Sequence, residues 1–164
     1  MRLPVQIKHI LFATDFSVYS ERARDYALAV AKKFRARIYV LHAIEVVHYM
    51  HEDPELREWL RSLERSLEDR LARELAYFQD YGIDAEGELI IGSPWRVIVT
   101  FAKEKRIDLI VMGTHGVRTL EGKVLLGTTS HKVALAASVP VMLVRPYEEA
   151  SLLTEDPHRV PAEE

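Results

Sequence analysis

The chain has 164 residues, of which 48% are hydrophobic, and this size and composition suit a single domain with a substantial apolar core. Its formal net charge of -3 provides no basic excess of the kind that nucleic-acid binding requires. No apolar run approaches about 18 residues, and the amino terminus lacks the long apolar core of a signal peptide, so we expect a cytoplasmic protein without membrane contacts. The absence of cysteine excludes a disulfide framework, a thiolate nucleophile and cysteine metal ligands.

Short apolar runs alternate with helical patterns along the chain. The runs are nearly continuous in apolar character, as is typical of strands covered on both faces in a parallel sheet. The segments between them place apolar residues three and four positions apart, which predicts amphipathic helices. The predicted strands cover residues 7–13, 36–44, 85–91, 109–112 and 140–144. The predicted helices cover residues 20–34, 54–81, 94–105 and 128–137.

Residues with strong helix-boundary preferences lie at several predicted helix starts. Ser20 or Ser17 is expected to cap the first helix through its hydroxyl, and Ser93 the third. Pro54 and Pro94 suit first helical positions, where a missing N–H needs no partner. The leucine stripe of the second helix is expected to cover a face of the sheet, and a coiled coil is the alternative.

This order of elements predicts one α/β domain, residues 1–146, in which a five-stranded parallel sheet of order 3-2-1-4-5 carries helices on both faces. Winding then reverses between the first and fourth strands, and ligands bind at such a switch point, outside the carboxyl ends of the strands. The predicted site therefore joins Ala13, Thr14 and Asp15 to residues 113–116. Residues 147–164 are acidic and irregular, and we expect a tail that is mobile or docks a partner.

The segment that follows the fourth strand has the composition of an anion site. Gly113 and Gly116 are expected to allow positive φ angles and close approach of a ligand, with plain turn formation as the alternative. Gly127 precedes three hydroxyl residues, 128–130, at a predicted helix start. The first four N–H groups of a helix lack intrahelical partners and the dipole is positive there, so phosphate is the expected ligand.

Four further side chains are candidates for ligand contact. The carboxylate of Asp15 could accept hydrogen bonds from sugar hydroxyls or hold a magnesium ion beside phosphates, and bracing of the following loop is the alternative. His115 lies between the two glycines and is placed to meet a ligand. Arg118 and Lys123 could reach a phosphate from a flexible loop or could simply be exposed.

Other familiar motifs are absent or incomplete. Five residues, rather than the four of a P-loop, separate Gly116 from Gly122 and Lys123. Val124 also stands where a P-loop has the hydroxyl residue that binds magnesium. No Gly-x-Gly-x-x-Gly follows the first strand, and neither a nucleophile elbow nor paired carboxylates support catalysis. A cluster of histidines and acids has a spacing that matches no established zinc site. Its members are His42, Glu45, His48, His51, Glu52 and Asp53.

Several stretches together resemble the universal stress protein family, whose nucleotide-binding members carry Gly-x2-Gly-x9-Gly-(Ser/Thr) after the fourth strand. Here ten residues rather than nine separate Gly116 from Gly127, and a flexible loop near Gly122 can absorb the additional residue at little entropic cost. The matching stretches, within residues 5–146, are Ile10-Leu-Phe-Ala-Thr-Asp-Phe-Ser17, Leu41-His-Ala-Ile44, Ile107-Asp-Leu-Ile-Val-Met-Gly-Thr-His-Gly116, Gly127-Thr-Thr-Ser-His-Lys-Val133 and Val139-Pro-Val-Met-Leu-Val-Arg145.

The resemblance implies a Rossmann-like fold of the adenine nucleotide alpha hydrolase type and a site for ATP, bound with Mg or Mn. Asp15 would lie near the adenosine and could meet the metal through Mg-ATP, while the backbone around Ala43 would lie near adenine. No metal site formed by the protein alone is implied. The candidate nucleotide contacts are Ala13, Thr14, Asp15, Ala43, Met112, Gly113, His115, Gly116, Gly127, Thr128, Thr129 and Ser130.

The family also commonly dimerises through its last strand, which here contains Val141 and Leu143. An apolar edge strand exposes unpaired N–H and C=O groups, and pairing with a symmetry mate would satisfy them. The alternative is an edge covered by the acidic tail.

The leading hypothesis is a regulatory or stress-response module that binds ATP. Its nucleotide state would order the loop between Gly113 and Gly127 and so change the surface that an unidentified protein partner meets. The second hypothesis is a dimerisation or scaffold module of the same fold that binds no nucleotide. The third is a slow ATP hydrolase, which requires turnover that depends on Asp15.

Overall fold

The computed structural model describes residues 4–45, 53–115 and 127–147, which form one parallel sheet of order β3-β2-β1-β4-β5 with helices on both faces. This confirms the predicted sheet order and the alternation of strands and helices. The strands are β1 His9–Ala13, β2 Arg37–Ile44, β3 Ala85–Ile91, β4 Leu109–Gly113 and β5 Val141–Val144. The helices are α1 Glu21–Phe34, α2 Pro54–Asp80, α3 Pro94–Glu104 and α4 Thr128–Ala136, with a short 3-10 helix at Val18–Ser20 before α1.

Two apolar layers form the core, one on each face of the sheet. Successive side chains of a strand point to opposite faces, so Ile10 and Phe12 of β1 pack with α1 and α2, whereas Leu11 and Ala13 pack with α3 and α4. Ile10, Leu11 and Phe12 are all fully buried. The near-continuous apolar run of β1 therefore reflects a strand that is covered on both sides.

The carboxyl-terminal part of the leucine stripe of α2, from Leu71 to Phe78, packs on the sheet, as the sequence predicts. Leu71 is buried in the same layer as Phe78, and the Phe78 ring meets Phe12 edge-on with centroids 5.9 Å apart. β3 carries glycine at position 87 where the helix approaches, because a Cβ there would lie 2.7 Å from Leu71 Cδ1. The close approach of α2 and β3 thus depends on Gly87.

The predicted helix starts are correct in position, and Ser20 and Ser93 are the N-cap residues of α1 and α3, but their hydroxyls do not make the expected cap hydrogen bonds. Ser20 Oγ donates to Ser17 O at 2.8 Å instead of accepting from the start of α1, and neither Ser17 nor Ser93 makes a side-chain cap hydrogen bond. α2 is capped by Asp53, whose Oδ1 accepts from Glu55 N at 2.9 Å. A serine before a helical pattern therefore indicates where the helix begins, although its hydroxyl does not make the capping hydrogen bond.

Asp108 joins the starts of the two central strands. Its Oδ2 accepts from the backbone N–H groups of Lys8 at 2.8 Å and His9 at 2.9 Å, across 99 residues in the second case. One carboxylate thereby satisfies two donors that precede the β1–β4 ladder and helps to fix its register, which pairs Ile10 with Leu109.

Asp25 of α1 connects three parts of the chain. Its Oδ1 accepts from the Tyr77 hydroxyl of α2 and its Oδ2 from the Tyr147 hydroxyl, each at 2.5 Å. Burial, together with the bond to Asp25, raises the pKa of Tyr77. Tyr147 is the first residue of the predicted tail, and the rest of that tail, 148–164, lies outside the described residues.

Across the described ranges, no helix is both long enough and apolar enough to cross a membrane.

Candidate functional site

A cleft of about 880 Å³ opens at the carboxyl ends of β1, β2 and β4. Its volume is within the range usual for small-molecule sites, and its position is the predicted switch point. Of the candidate contacts, Gly116 lies outside the described residues, as do Arg118 and Lys123. The predicted residues that line the cleft are Ala13, Thr14, Asp15, Ala43, Met112, Gly113, His115, Gly127, Thr128, Thr129 and Ser130.

A braced turn follows β1 and presents Asp15 to the cleft. Asp15 Oδ1 accepts from the backbone N–H of Ser17 at 2.9 Å and from its hydroxyl at 2.5 Å. Thr14 Oγ1 accepts from Phe16 N at 3.0 Å and lies 3.0 Å from Ser20 Oγ. Phe16 has a φ of 61°, a left-handed conformation that is costly for a residue with a large side chain. Asp15 therefore braces the loop, as the alternative interpretation expects, and its carboxylate also lines the cleft.

His42 supports this turn from β2. Its Nδ1 lies 2.8 Å from Thr14 O, and because a carbonyl only accepts, Nδ1 carries the proton and Nε2 is an acceptor in the neutral ring. The imidazole also packs on the Phe16 ring, with centroids 4.5 Å apart. Burial lowers the pKa of His42, against the opposing effects of the Thr14 carbonyl and the Asp15 carboxylate. The ring therefore acts as a brace in its neutral form.

The histidine and acid cluster of the sequence does not assemble a metal site among the residues that the structure describes, where no group of three potential ligands occurs. His48, His51 and Glu52 lie outside those residues. His42 is engaged with Thr14, and Asp53 caps α2.

Thr114 fastens the end of β4 to the start of α4. Its N–H donates to Val144 O at 3.0 Å, and its carbonyl accepts from Gly127 N at 2.7 Å. Ser130 is buried, and its hydroxyl donates towards the same carbonyl at 3.2 Å and towards Gly127 O at 2.9 Å. The Ser130 hydroxyl therefore holds the helix start in place, which differs from the expected role of donating a hydrogen bond to phosphate.

The amino terminus of α4 points its backbone donors at the cleft. Gly127 is the N-cap residue without a side-chain cap, and the first intrahelical bond runs from His131 N to Gly127 O at 3.0 Å. The N–H groups of residues 128–130 precede that bond, and the first turn contains no acidic residue. A nine-residue helix with its positive end at the cleft attracts an anion there.

Gly113 is closely packed, but its backbone angles are not unusual. Its φ is not positive, contrary to the expectation from the sequence. A Cβ at this position would lie 3.3 Å from His115 O, which is a tight contact, and 3.4 Å from Tyr19 O, which is an ordinary one. The glycine lets the β4 end pass against the turn before α1. The His115 ring is tied back locally, since its Nδ1 lies 2.6 Å from Thr114 Oγ1.

The backbone of Ala43 faces the cleft with one donor and one acceptor. On one side of β2, Leu41 O accepts from Thr14 N at 3.0 Å, and on the other side Ile44 O accepts from Gly92 N at 2.9 Å. Successive residues of a strand direct their N–H and C=O groups alternately to its two neighbours. The N–H and C=O of Ala43 therefore point towards the β1 side of β2. β1 no longer pairs with β2 at this level, because the chain turns away at Thr14.

Apolar walls flank this strand edge, and the sequence interpretation did not include them. Leu63 and Leu67 of α2 line one side, and Trp95 and Ile98 of α3 line the other. Lys132, on the first turns of α4, adds a cation at the α4 end of the cleft. Trp95 could have been found from the sequence, because it lies three positions before Ile98 on the same inward helical face.

Comparisons with known proteins identify the family of this chain. A family model described as the universal stress protein family matches residues 6–145. A universal stress protein of Thermus aquaticus, encoded in the QAH/OAS sulfhydrylase 3' region, is 39% identical over 140 residues, covering 84% of this chain and 98% of the relative.

Two solved structures share the fold. The structure of MJ0577 of Methanocaldococcus jannaschii superposes with a TM-score of 0.78 at 26% identity, covering 85% of this chain and 96% of that one. The universal stress protein of Archaeoglobus fulgidus in complex with dAMP has a TM-score of 0.62 at 20% identity, covering 87% and 100% respectively. By its family match and its sequence identity, the chain belongs to the universal stress protein family.

Proposed function

We propose that this protein binds ATP, together with Mg or Mn, in the cleft and acts in the cytoplasm as a nucleotide-dependent regulatory module of a stress response. One observation carries the proposal. The cleft combines a backbone donor and acceptor at Ala43, a carboxylate at Asp15 and the positive end of α4. These three features match, in order, a nucleobase, a ribose and a phosphate chain. At 20% identity, the dAMP complex of the Archaeoglobus fulgidus protein supports only the shared fold. The proposal therefore depends on the cleft residues of this chain.

The edge of β2 favours adenine over guanine. Adenine offers an acceptor at N1 beside a donor at its 6-amino group, which matches the N–H and C=O of Ala43. Guanine carries a donor at N1 and an acceptor at its 6-oxo group, so the same approach places donor against donor and acceptor against acceptor. A site built to pair a particular polar edge rejects the mismatched analogue because buried groups are left unpaired.

Calorimetric titration of nucleotide-stripped protein with Mg-ATP and Mg-GTP tests this proposal. We expect ATP to bind with saturable heat, and GTP to bind about tenfold to a hundredfold more weakly because of the mismatch at Ala43. Inosine triphosphate, which shares the 6-oxo group, is the matched control and should resemble GTP. Absence of ATP heat, together with absence of nucleotide released by denaturing freshly purified protein, would contradict the proposal.

We also propose that two copies pair through β5. Ile110 N donates to Pro140 O and Thr114 N to Val144 O, so the residues at 140, 142 and 144 direct their backbone groups to β4. Val141 and Leu143 therefore direct their N–H and C=O groups to the outer edge of the sheet. A symmetry mate would satisfy these groups.

Replacing Leu143 with proline removes one outward N–H while leaving the bonds to β4 intact, since proline is tolerated on edge strands. We expect sedimentation equilibrium to show a dimer for the wild type and a monomer for Leu143→Pro, with an unchanged circular dichroism spectrum. Leu143→Ala keeps the N–H and should remain a dimer. A wild-type monomer at all accessible concentrations would contradict pairing through β5.

A further inference from the structure

Trp95 lies beside the space that the base of a nucleotide bound in the cleft would occupy. The Ala43 backbone groups point in the plane of the sheet, so a base that pairs with them continues that plane beyond the β2 edge. Its two faces then look towards the two helix layers. Trp95 lines the cleft from the α3 layer, and Leu63 and Leu67 line it from the α2 layer.

The indole is anchored before any ligand arrives. Trp95 occupies the second position of α3, directly after Pro94, whose fixed φ defines the start of the helix. Trp95 is half-buried and packs against the α3 and α4 core layer, where Ile98 on the same helical face is buried. The guanidinium of Arg96 lies 5.3 Å from the indole centroid and adds a further contact. A ring fixed in this way loses little freedom when a base stacks on it.

The aromatic ring on the opposite wall is already engaged by its own neighbours. His42 also lines the cleft, but its ring packs on Phe16 and its Nδ1 is held by the Thr14 carbonyl. Leu63 and Leu67 provide aliphatic contact without an aromatic plane. We propose that the Trp95 indole stacks on the nucleobase, with the leucines of α2 covering the other face of the base. This inference depends on the proposed nucleotide site and assigns the wall that recognises an aromatic base.

Tryptophan fluorescence gives a direct readout because the chain contains two tryptophans. Trp59, on α2, is 53% exposed, and Trp59→Phe leaves Trp95 as the reporter. We expect Mg-ATP to change the Trp95 emission in this variant, with the same dissociation constant that calorimetry gives. In the matched variant Trp95→Phe, the emission of Trp59 should not respond to nucleotide.

Binding measurements test whether the contact contributes to affinity. Trp95→Leu should weaken Mg-ATP binding about tenfold or more, whereas Trp95→Phe, which keeps an aromatic face, should stay within about threefold of the wild type. Ribose 5-triphosphate, which lacks the base, should bind the wild type and Trp95→Leu equally. If Trp95→Leu does not fold, the response of the Trp95 emission to Mg-ATP in Trp59→Phe decides.

The possible failures can be told apart. If calorimetry detects ATP binding but the Trp95 emission is unchanged and Trp95→Leu keeps the wild-type affinity, the stacking inference is wrong and the nucleotide proposal stands. If the wild type shows no ATP binding by calorimetry and carries no nucleotide, both are wrong.

Discussion

Asp15→Ala is expected to weaken Mg-ATP binding by about tenfold to a hundredfold. A carboxylate that accepts a hydrogen bond from a sugar hydroxyl contributes about 1.5–3 kcal/mol, and alanine removes that acceptor entirely. The same change removes the acceptor of the Ser17 N–H and hydroxyl, so the turn with its left-handed Phe16 should also be destabilised. Calorimetry and urea-induced unfolding measure the two effects separately.

Asp15→Asn is the matched control, because it separates the ligand contact from the brace. The amide oxygen can still accept from the Ser17 N–H, so stability should remain close to that of the wild type. Loss of the charge should still weaken ATP binding, by less than alanine does. Wild-type affinity in both variants, with lowered stability in Asp15→Ala alone, would show that this carboxylate only braces the turn.

Phe78→Ala is expected to lower the free energy of unfolding by about 3–5 kcal/mol, which is a large part of the stability of an ordinary domain. Phe78 is fully buried, and its ring meets Phe12 of the central strand and Tyr77 of its own helix edge-on, with centroids 5.9 and 5.2 Å away. Alanine would leave a cavity in the layer that joins α2 to the sheet. Urea-induced unfolding followed by circular dichroism measures the change.

Phe78→Leu provides the control for volume, because leucine refills most of the space and should cost roughly 1–2 kcal/mol. Phe78 does not contribute to the cleft lining, so any folded fraction of either variant should bind Mg-ATP with nearly wild-type affinity. Equal stabilities of Phe78→Ala and the wild type would contradict the assignment of this ring to the core.

The fold follows from sequence because its signals are local and repeated. Runs such as 109–112 are too short for helices and too apolar for loops, and Pro54 and Pro94 place the helix starts within a residue. A parallel sheet of alternating strands and helices then allows few topologies, since crossovers are right-handed. The glycine at 113 and the hydroxyl run after Gly127 could be placed at the cleft for the same reason.

The finer organisation of the site could not be predicted because it depends on contacts between distant segments. Ser130 carries the hydroxyl expected of a phosphate ligand, yet this hydroxyl is directed to the carbonyls of Gly127 and of Thr114, the latter sixteen positions earlier. From the sequence, His42 could be interpreted only together with the residues near it in the chain. Its partners in the structure are Thr14 and Phe16, which follow the adjacent strand β1. Composition identifies which groups a segment offers, and tertiary packing decides which of them face the ligand.

The carboxylate of Asp108 also has a consequence for biosynthesis. Its hydrogen bond to the His9 N–H joins the start of β1 to the start of β4, 99 residues apart in the chain. β1 is the middle strand of the finished sheet. During translation, β1 can pair early with β2 on one side, but its other edge has no native partner until β4 has been made. A hydrophobic strand edge is thus exposed in the growing chain, and the slow step of folding is expected to be the late closure of the sheet at its centre.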